Sequence, residues 1–168
     1  MSVVMPIFNI IYSLGLFMGI GGSVLYSSEK GRRENGCYNE FFSTALLGTA
    51  ALAAIAWTGI VFFGEPLLRL FGAEQTLLPL TKAYLFPIKI VIPVFVFNQM
   101  LAAFLRNDNA PGLATAAVLG GGIFNVFGDY FFVFAMDMGI LGAGLATAAG
   151  ACITLLIMLT HFFSKRCT

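Results

Sequence analysis

A chain of 168 residues that is 59% hydrophobic and only 10% charged, with a mean hydropathy of +0.91, is far more apolar than a soluble globular domain, where the share is about 45–50%. Nine Lys and Arg against eight Asp and Glu leave a net charge of +1, too little basic excess to neutralise a nucleic-acid backbone. With 19 glycines and 18 phenylalanines, the composition predicts an all-α, polytopic bundle of transmembrane helices in the cell membrane, with the lipid bilayer as its first partner.

A spanning helix needs about 20 mostly apolar residues. Five stretches qualify, at about 3–27, 41–63, 82–105, 111–134 and 138–162, and are read as one bundle over 1–168. Apart from Lys82 at the edge of the third, only Lys89 and Asp129 bring charge into them. A membrane barrel would show segments of about ten residues with alternating polarity instead.

The first span ends in Ser28-Glu29-Lys30-Gly31-Arg32-Arg33-Glu34-Asn35-Gly36, a polar and basic connection that the positive-inside tendency places in the cytoplasm. Alternation then puts the connection from Glu65 to Thr81 outside, Arg106 to Pro111 inside, Met136 to Gly139 outside and Lys165-Arg166 inside. The inner side thereby collects Lys30, Arg32, Arg33, Arg106, Lys165 and Arg166, against Arg69 and the marginal Lys82 outside. An odd number of spans with an inner C-terminus puts Met1 outside, without a signal peptide's basic region or cleavage site. The expectation is therefore a fragment of a longer protein.

In the second connection, Pro66-Leu67-Leu68-Arg69-Leu70-Phe71-Gly72 is amphipathic and ends on glycine, which predicts a short helix lying in the membrane interface. Pro87 and Pro93 within the third span predict a kinked helix that either borders a water-accessible space or simply packs bent. Lys89 lies about 10 Å into that span, deep enough either to snorkel outward or to pair with a carboxylate. Asn98 and Gln99, further along, are too polar for lipid and are expected to face the interior, lining a substrate path or joining helices.

Asp129 in the fourth span marks a functional site, because an ionisable group in the membrane is costly. It sits about 8 Å from the outer end of its helix. Asn125, one turn earlier, shares its face. Carboxylate and amide oxygens are hard ligands suited to Na⁺, and a desolvated carboxylate can instead carry a proton. The fifth span opens with Gly139-Ile140-Leu141-Gly142-Ala143-Gly144-Leu145-Ala146-Thr147, whose small residues allow close helix approach and bring Thr147 to a similar depth. Cys37, Cys152 and Cys167 show no pairing or metal-ligand spacing and are read as free thiols. The single His161 cannot build a metal centre or a triad, so enzymatic chemistry is not expected, nor is any cofactor.

Four stretches together resemble the multidrug and toxic compound extrusion (MATE) family. They are Gly19-Ile20-Gly21-Gly22-Ser23 before a Glu-Lys-Gly loop, Leu105-Arg106-Asn107-Asp108-Asn109-Ala110-Pro111, Asn125-x-x-x-Asp129, and Met138-Gly139-Ile140-Leu141-Gly142-Ala143-Gly144-Leu145-Ala146-Thr147. Their order matches the second to sixth helices of the family's N-terminal lobe. The resemblance implies part of a two-lobe antiporter that exports cationic or amphipathic drugs by alternating access, driven by Na⁺ or H⁺. It implies a cation-coupling site at Asn125, Asp129 and Thr147, with Ala143 offering a backbone oxygen. The family's first helix, with its carboxylate, and its second lobe have no counterpart here, and are expected from the full-length protein or a partner chain. Lys89 departs from the family pattern. A related flippase for lipid-linked saccharides would favour a basic cavity, for which only Lys89 qualifies, and a truncated, non-transporting membrane protein is the alternative from another class.

Overall fold

The structure, a computed structural model, describes residues 4–32, 39–72, 75–108 and 110–164. Arg33, Cys37, Asn109, Lys165, Arg166 and Cys167 lie outside the described residues, as do the side chains of Lys30, Arg32 and His161. Cys152 is a free thiol. Five α-helices follow one another: α1 (Met5–Arg32), α2 (Asn39–Leu70), α3 (Leu78–Asn107), α4 (Pro111–Asp129) and α5 (Gly139–Ser164), with a π-helical segment, Tyr130–Ala135, continuing α4. All five runs, α4 with its π segment, are long and apolar enough to cross a membrane. In lipid there is no water to satisfy backbone N–H and C=O groups, so an apolar run closes its own hydrogen bonds by becoming helical.

The third helix is the centre of the bundle and touches each of the other four, with α1 and α2 packed together on one flank and α4 and α5 on the other. Its side chains feed two core clusters. One gathers Leu85, Ile88, Ile92, Phe95 and Val96 with Ile7 and Ile11 of α1 and Ile60 and Leu68 of α2. The other joins Met100, Leu101, Phe104 and Leu105 to Ala45 of α2, Ala114 and Ala117 of α4 and Met158 of α5. Pro87 and Pro93 both sit within one continuous α3.

The short interfacial helix expected at Pro66–Gly72 does not form as a separate element. Instead α2 runs unbroken through Pro66 to Leu70. Proline inside a helix costs on the order of 3 kcal/mol in water, and in a membrane helix it is tolerated where neighbouring groups satisfy the freed backbone. Leu68 is only 1% exposed and Phe71 packs on the same cluster, so the last turns of α2 are held against Leu78 and Leu85 of α3. Glu65 adds two ion pairs at that end, to Arg69 at 3.0 Å and to Lys82 at 2.5 Å. The helix stops where Gly72 turns to a φ of +90°, a left-handed conformation that suits glycine.

Close approach on the α4 and α5 flank depends on glycine. A Cβ built on Gly121 would fall 2.7 Å from the Gly150 carbonyl oxygen, and one on Gly150 would fall 2.8 Å from that of Gly121. The two backbones are therefore in direct contact, as small-residue faces allow. Gly150→Ala should lower stability by about 1–3 kcal/mol through overpacking. Gly122→Ala, whose added Cβ meets nothing within 4 Å, should be neutral or stabilising. Thermal unfolding of both variants in detergent checks the contrast.

Candidate functional site

The contact between α4 and α5 continues outward to Gly128, where an added Cβ would lie 3.0 Å from that of Ala146. This places the face carrying Asn125 and Asp129 beside Thr147, the residue after Ala146. The Asn125 amide Nδ2 donates to Thr147 Oγ1 at 3.2 Å, and Thr147 Oγ1 donates back to the Ala143 carbonyl at 3.0 Å. Tyr84 of α3 brings its hydroxyl to 3.4 Å from the same Thr147 oxygen. Because the threonine's one proton goes to Ala143, the hydrogen of the Tyr84 contact comes from the phenol.

Asp129, the residue at which α4 passes into the π segment, has a shielded carboxylate oxygen, Oδ1, without a hydrogen-bond partner. The Asn125 amide nitrogen is already committed to Thr147, so its carbonyl oxygen is the group left to face a ligand. A shielded acceptor with no donor is uncommon. Asn125, Thr147 and Ala143 are thus joined by hydrogen bonds across two helices, with Asp129 one turn on from Asn125 along α4. Tyr84 is the site residue that the sequence reading missed. The signal for it lay in helix spacing, since its polar tip sits one turn from Ile88 on the buried side of α3, but only the packing of α3 on α5 shows which residue it meets.

That packing is close for the same reason as before. A Cβ on Gly144 would meet the Tyr84 carbonyl oxygen at 2.5 Å and Pro87 Cγ at 2.7 Å. The π segment, also unforeseen, follows from the tight connection at Met136–Gly139. Asp137 and Gly139 adopt φ of 53° and 54°, and the N–H groups of Met136 and Met138 bond to Phe131 at 3.0 Å and Phe132 at 3.1 Å. The widened turn sets the Phe132 carbonyl against Gly142, where an added Cβ would lie 2.8 Å from it. Such segments recur at functional sites.

The other candidates are placed differently. Asn98 is 8% exposed and donates through Nδ2 to the Ala151 carbonyl at 2.9 Å, one turn inward from Thr147 along α5. That bond joins α3 to α5. Gln99 is half-buried against α1, where a Cβ on Gly15 would come within 2.7 Å of its own Cβ. Lys89 turns to α2, its ammonium lodged beside Gly64, and it makes no ion pair with Asp129. At the opposite end of α3, Asn107 Nδ2 donates to the buried Ser23 Oγ at 2.5 Å, so the Gly19–Ser23 stretch of α1 and the Leu105–Pro111 stretch meet across one helix interface.

The family model described as MatE matches residues 1–131. Among curated proteins, the multidrug export protein MepA of Staphylococcus saprophyticus is 27% identical over 164 residues, which are 98% of this chain and 36% of that protein. The protein of the same name from Staphylococcus aureus is 25% identical over the same shares. The chain thus spans a little over a third of the length of the curated relatives it matches. Among solved structures, the inward-facing conformation of a multidrug resistance MATE family transporter of the MOP superfamily superposes with a TM-score of 0.91 at 23% identity, over 99% of this chain and 38% of that one. A MATE protein in the bent conformation gives a TM-score of 0.91 at 23% identity, over 99% and 37%.

The hydrogen-bond pattern separates two kinds of residue. Thr147→Val leaves the Asn125 and Tyr84 donors without an acceptor and should destabilise by about 1–3 kcal/mol. Asp129→Asn removes an unpartnered charge and should leave the melting temperature unchanged or higher. A loss on Asp129→Asn as large as that on Thr147→Val would show that the carboxylate has a structural partner.

Proposed function

The chain belongs to the MatE family, and from that premise we propose that it is part of a cation-coupled multidrug efflux antiporter whose coupling ion, Na⁺ or H⁺, binds at Asp129. The bundle of 1–168 is in this reading one portion of a two-lobe transporter, with the remaining helices supplied by the full-length protein or a partner chain. The relatives' names as multidrug export proteins support the substrate class. The unpartnered Oδ1 of Asp129 beside the Asn125–Thr147 bond is the observation that carries the ion-coupling site.

The chemistry follows from one carboxylate serving two cations in turn. A Na⁺ ion would take oxygens from Asp129, from Asn125 Oδ1 and from the Ala143 carbonyl, with the Tyr84 hydroxyl alongside; a proton would need Asp129 alone. Either one neutralises the site. A cationic drug that relies on the same negative charge is weakened when the ion binds, and this mutual exclusion is the basis of exchange. Alternating access then requires the ion to bind one conformation of the two lobes more tightly than the other, since a ligand shifts an equilibrium only by its differential affinity.

Export tests this directly. In proteoliposomes of a transporter carrying this lobe, an imposed Na⁺ or H⁺ gradient should drive efflux of a cationic dye, and Asp129→Asn should reduce ion-driven efflux to background. Unchanged efflux with unchanged ion dependence removes Asp129 from the mechanism. Tyr84→Phe, which deletes one hydrogen-bonding group, should weaken apparent ion affinity about 3- to 10-fold, measured as the ion concentration giving half-maximal efflux.

A further inference from the structure

A second polar constellation lies away from this site, between the last turns of α2 and the first half of α3. A cavity of about 370 Å³ opens there, lined by Val61, Phe62, Glu65, Lys82, Phe86 and Lys89 among others. Its charges do not balance. Glu65 is the one carboxylate, and both of its oxygens are taken, Oε1 by Arg69 at 3.0 Å and Oε2 by Lys82 at 2.5 Å. Lys89 is half-buried and makes no ion pair among the described residues. Three cations therefore share a single anion, and one ammonium points into the cavity unpaired.

The backbone makes room for that ammonium. A Cβ on Gly64 would stand 2.9 Å from Lys89 Nζ and 3.0 Å from its Cε, so the missing side chain is what lets Lys89 reach from α3 against α2, next to Glu65. Lys82 and Lys89 stand two turns apart on one face of α3, about 10 Å along its axis. The surroundings of these charges in this chain are apolar and exposed. Phe62 is 74% exposed and Phe86 65%. Below them along α2, Glu65, Val61 and Trp57 follow at one-turn intervals, with Val61 39% and Trp57 44% exposed.

We propose that this cavity binds the phosphate of an anionic membrane phospholipid. The charge distribution places this end of the bundle on the outer side of the membrane. Lys89 and Lys82 hold the phosphate, Phe62 and Phe86 flank the glycerol region, and one acyl chain descends the α2 face past Val61 to Trp57. A soluble phosphate would satisfy the lysines equally but has nothing to place on that apolar track. The two cations and the adjoining exposed aromatics together match an amphiphile, as lysines close to a membrane surface attract anionic lipid.

Trp57 is the chain's only tryptophan, which makes it a built-in reporter. The full chain is reconstituted in phosphatidylcholine bilayers containing a small fraction of lipid with brominated acyl chains, carrying either a phosphatidylglycerol or a phosphatidylcholine head group. Brominated phosphatidylglycerol should quench Trp57 with about fivefold preference over brominated phosphatidylcholine. Lys89→Met should bring that preference close to one. Lys82→Gln, at an exposed position and so tolerant of replacement, should lower it in the same direction. Arg106→Gln, at the far end of α3, should leave it unchanged. Equal quenching by the two lipids in the parent chain overturns the proposal, as does an equal loss of preference in Arg106→Gln. Abolition of the preference by millimolar inorganic phosphate also overturns it, because the anion recognised is then a soluble one.

Discussion

Backbone contact between α4 and α5 is the constraint on which the candidate site depends. With no side chain at Gly121 or Gly150, the two helices come close enough for carbonyl oxygens to occupy the space a Cβ would need. Gly128 against Ala146 repeats the contact further out. Only at that separation can an asparagine on one helix reach a threonine hydroxyl on the other. In lipid, where apolar side chains gain little by leaving their surroundings, this kind of close packing with a few interhelical hydrogen bonds supplies what hydrophobic burial supplies in water.

The central helix distributes the consequences. Through Tyr84, Asn98 and Gly144's cavity for Pro87, α3 is tied to α5 along one face. Through Gly15 and Gly19, and through the Asn107–Ser23 bond, it is tied to α1 along another. Asn98 bonds to Ala151 and Asn125 to Thr147 one turn away, so both polar side chains are tied to α5, and the unpaired atoms stand out. Asn98 Oδ1 and Asp129 Oδ1 are those atoms among the described residues. Asp129 differs in kind, since it carries a formal charge and its neighbours offer further oxygens.

The two intramembrane charges have separate environments, and this is the main functional consequence of the fold. Lys89, at a depth comparable to Asp129, goes to the other flank because Gly64 leaves it room beside α2. Asp129 Oδ1 is left without a hydrogen-bond partner among the described residues. Gly64 thus leaves the lysine room on the α2 side, away from the carboxylate.

Much of this was legible in the residues alone. Uninterrupted apolar runs dictate helices because the bilayer leaves the backbone no other partner. The rarity of charge within those runs singles out Asp129, and a four-residue spacing is sufficient to put Asn125 on its face. What the linear pattern does not contain is the rotation of each helix about its axis and the distances between helices. For that reason Tyr84 was not separable from other aromatic residues, and Lys89 had two destinations open to it. The continuation of α2 through Pro66 also turned on tertiary contact, since Leu68 and Phe71 pack against α3 and outweigh a local signal for a break. The π segment after Asp129 arises in the same way, from a tight connection that must bring α5 back against α4. The sequence by itself determined helices, their number and the residues too polar for lipid. Tertiary structure decided which of those polar groups meet, because glycine contacts only act where a second helix arrives.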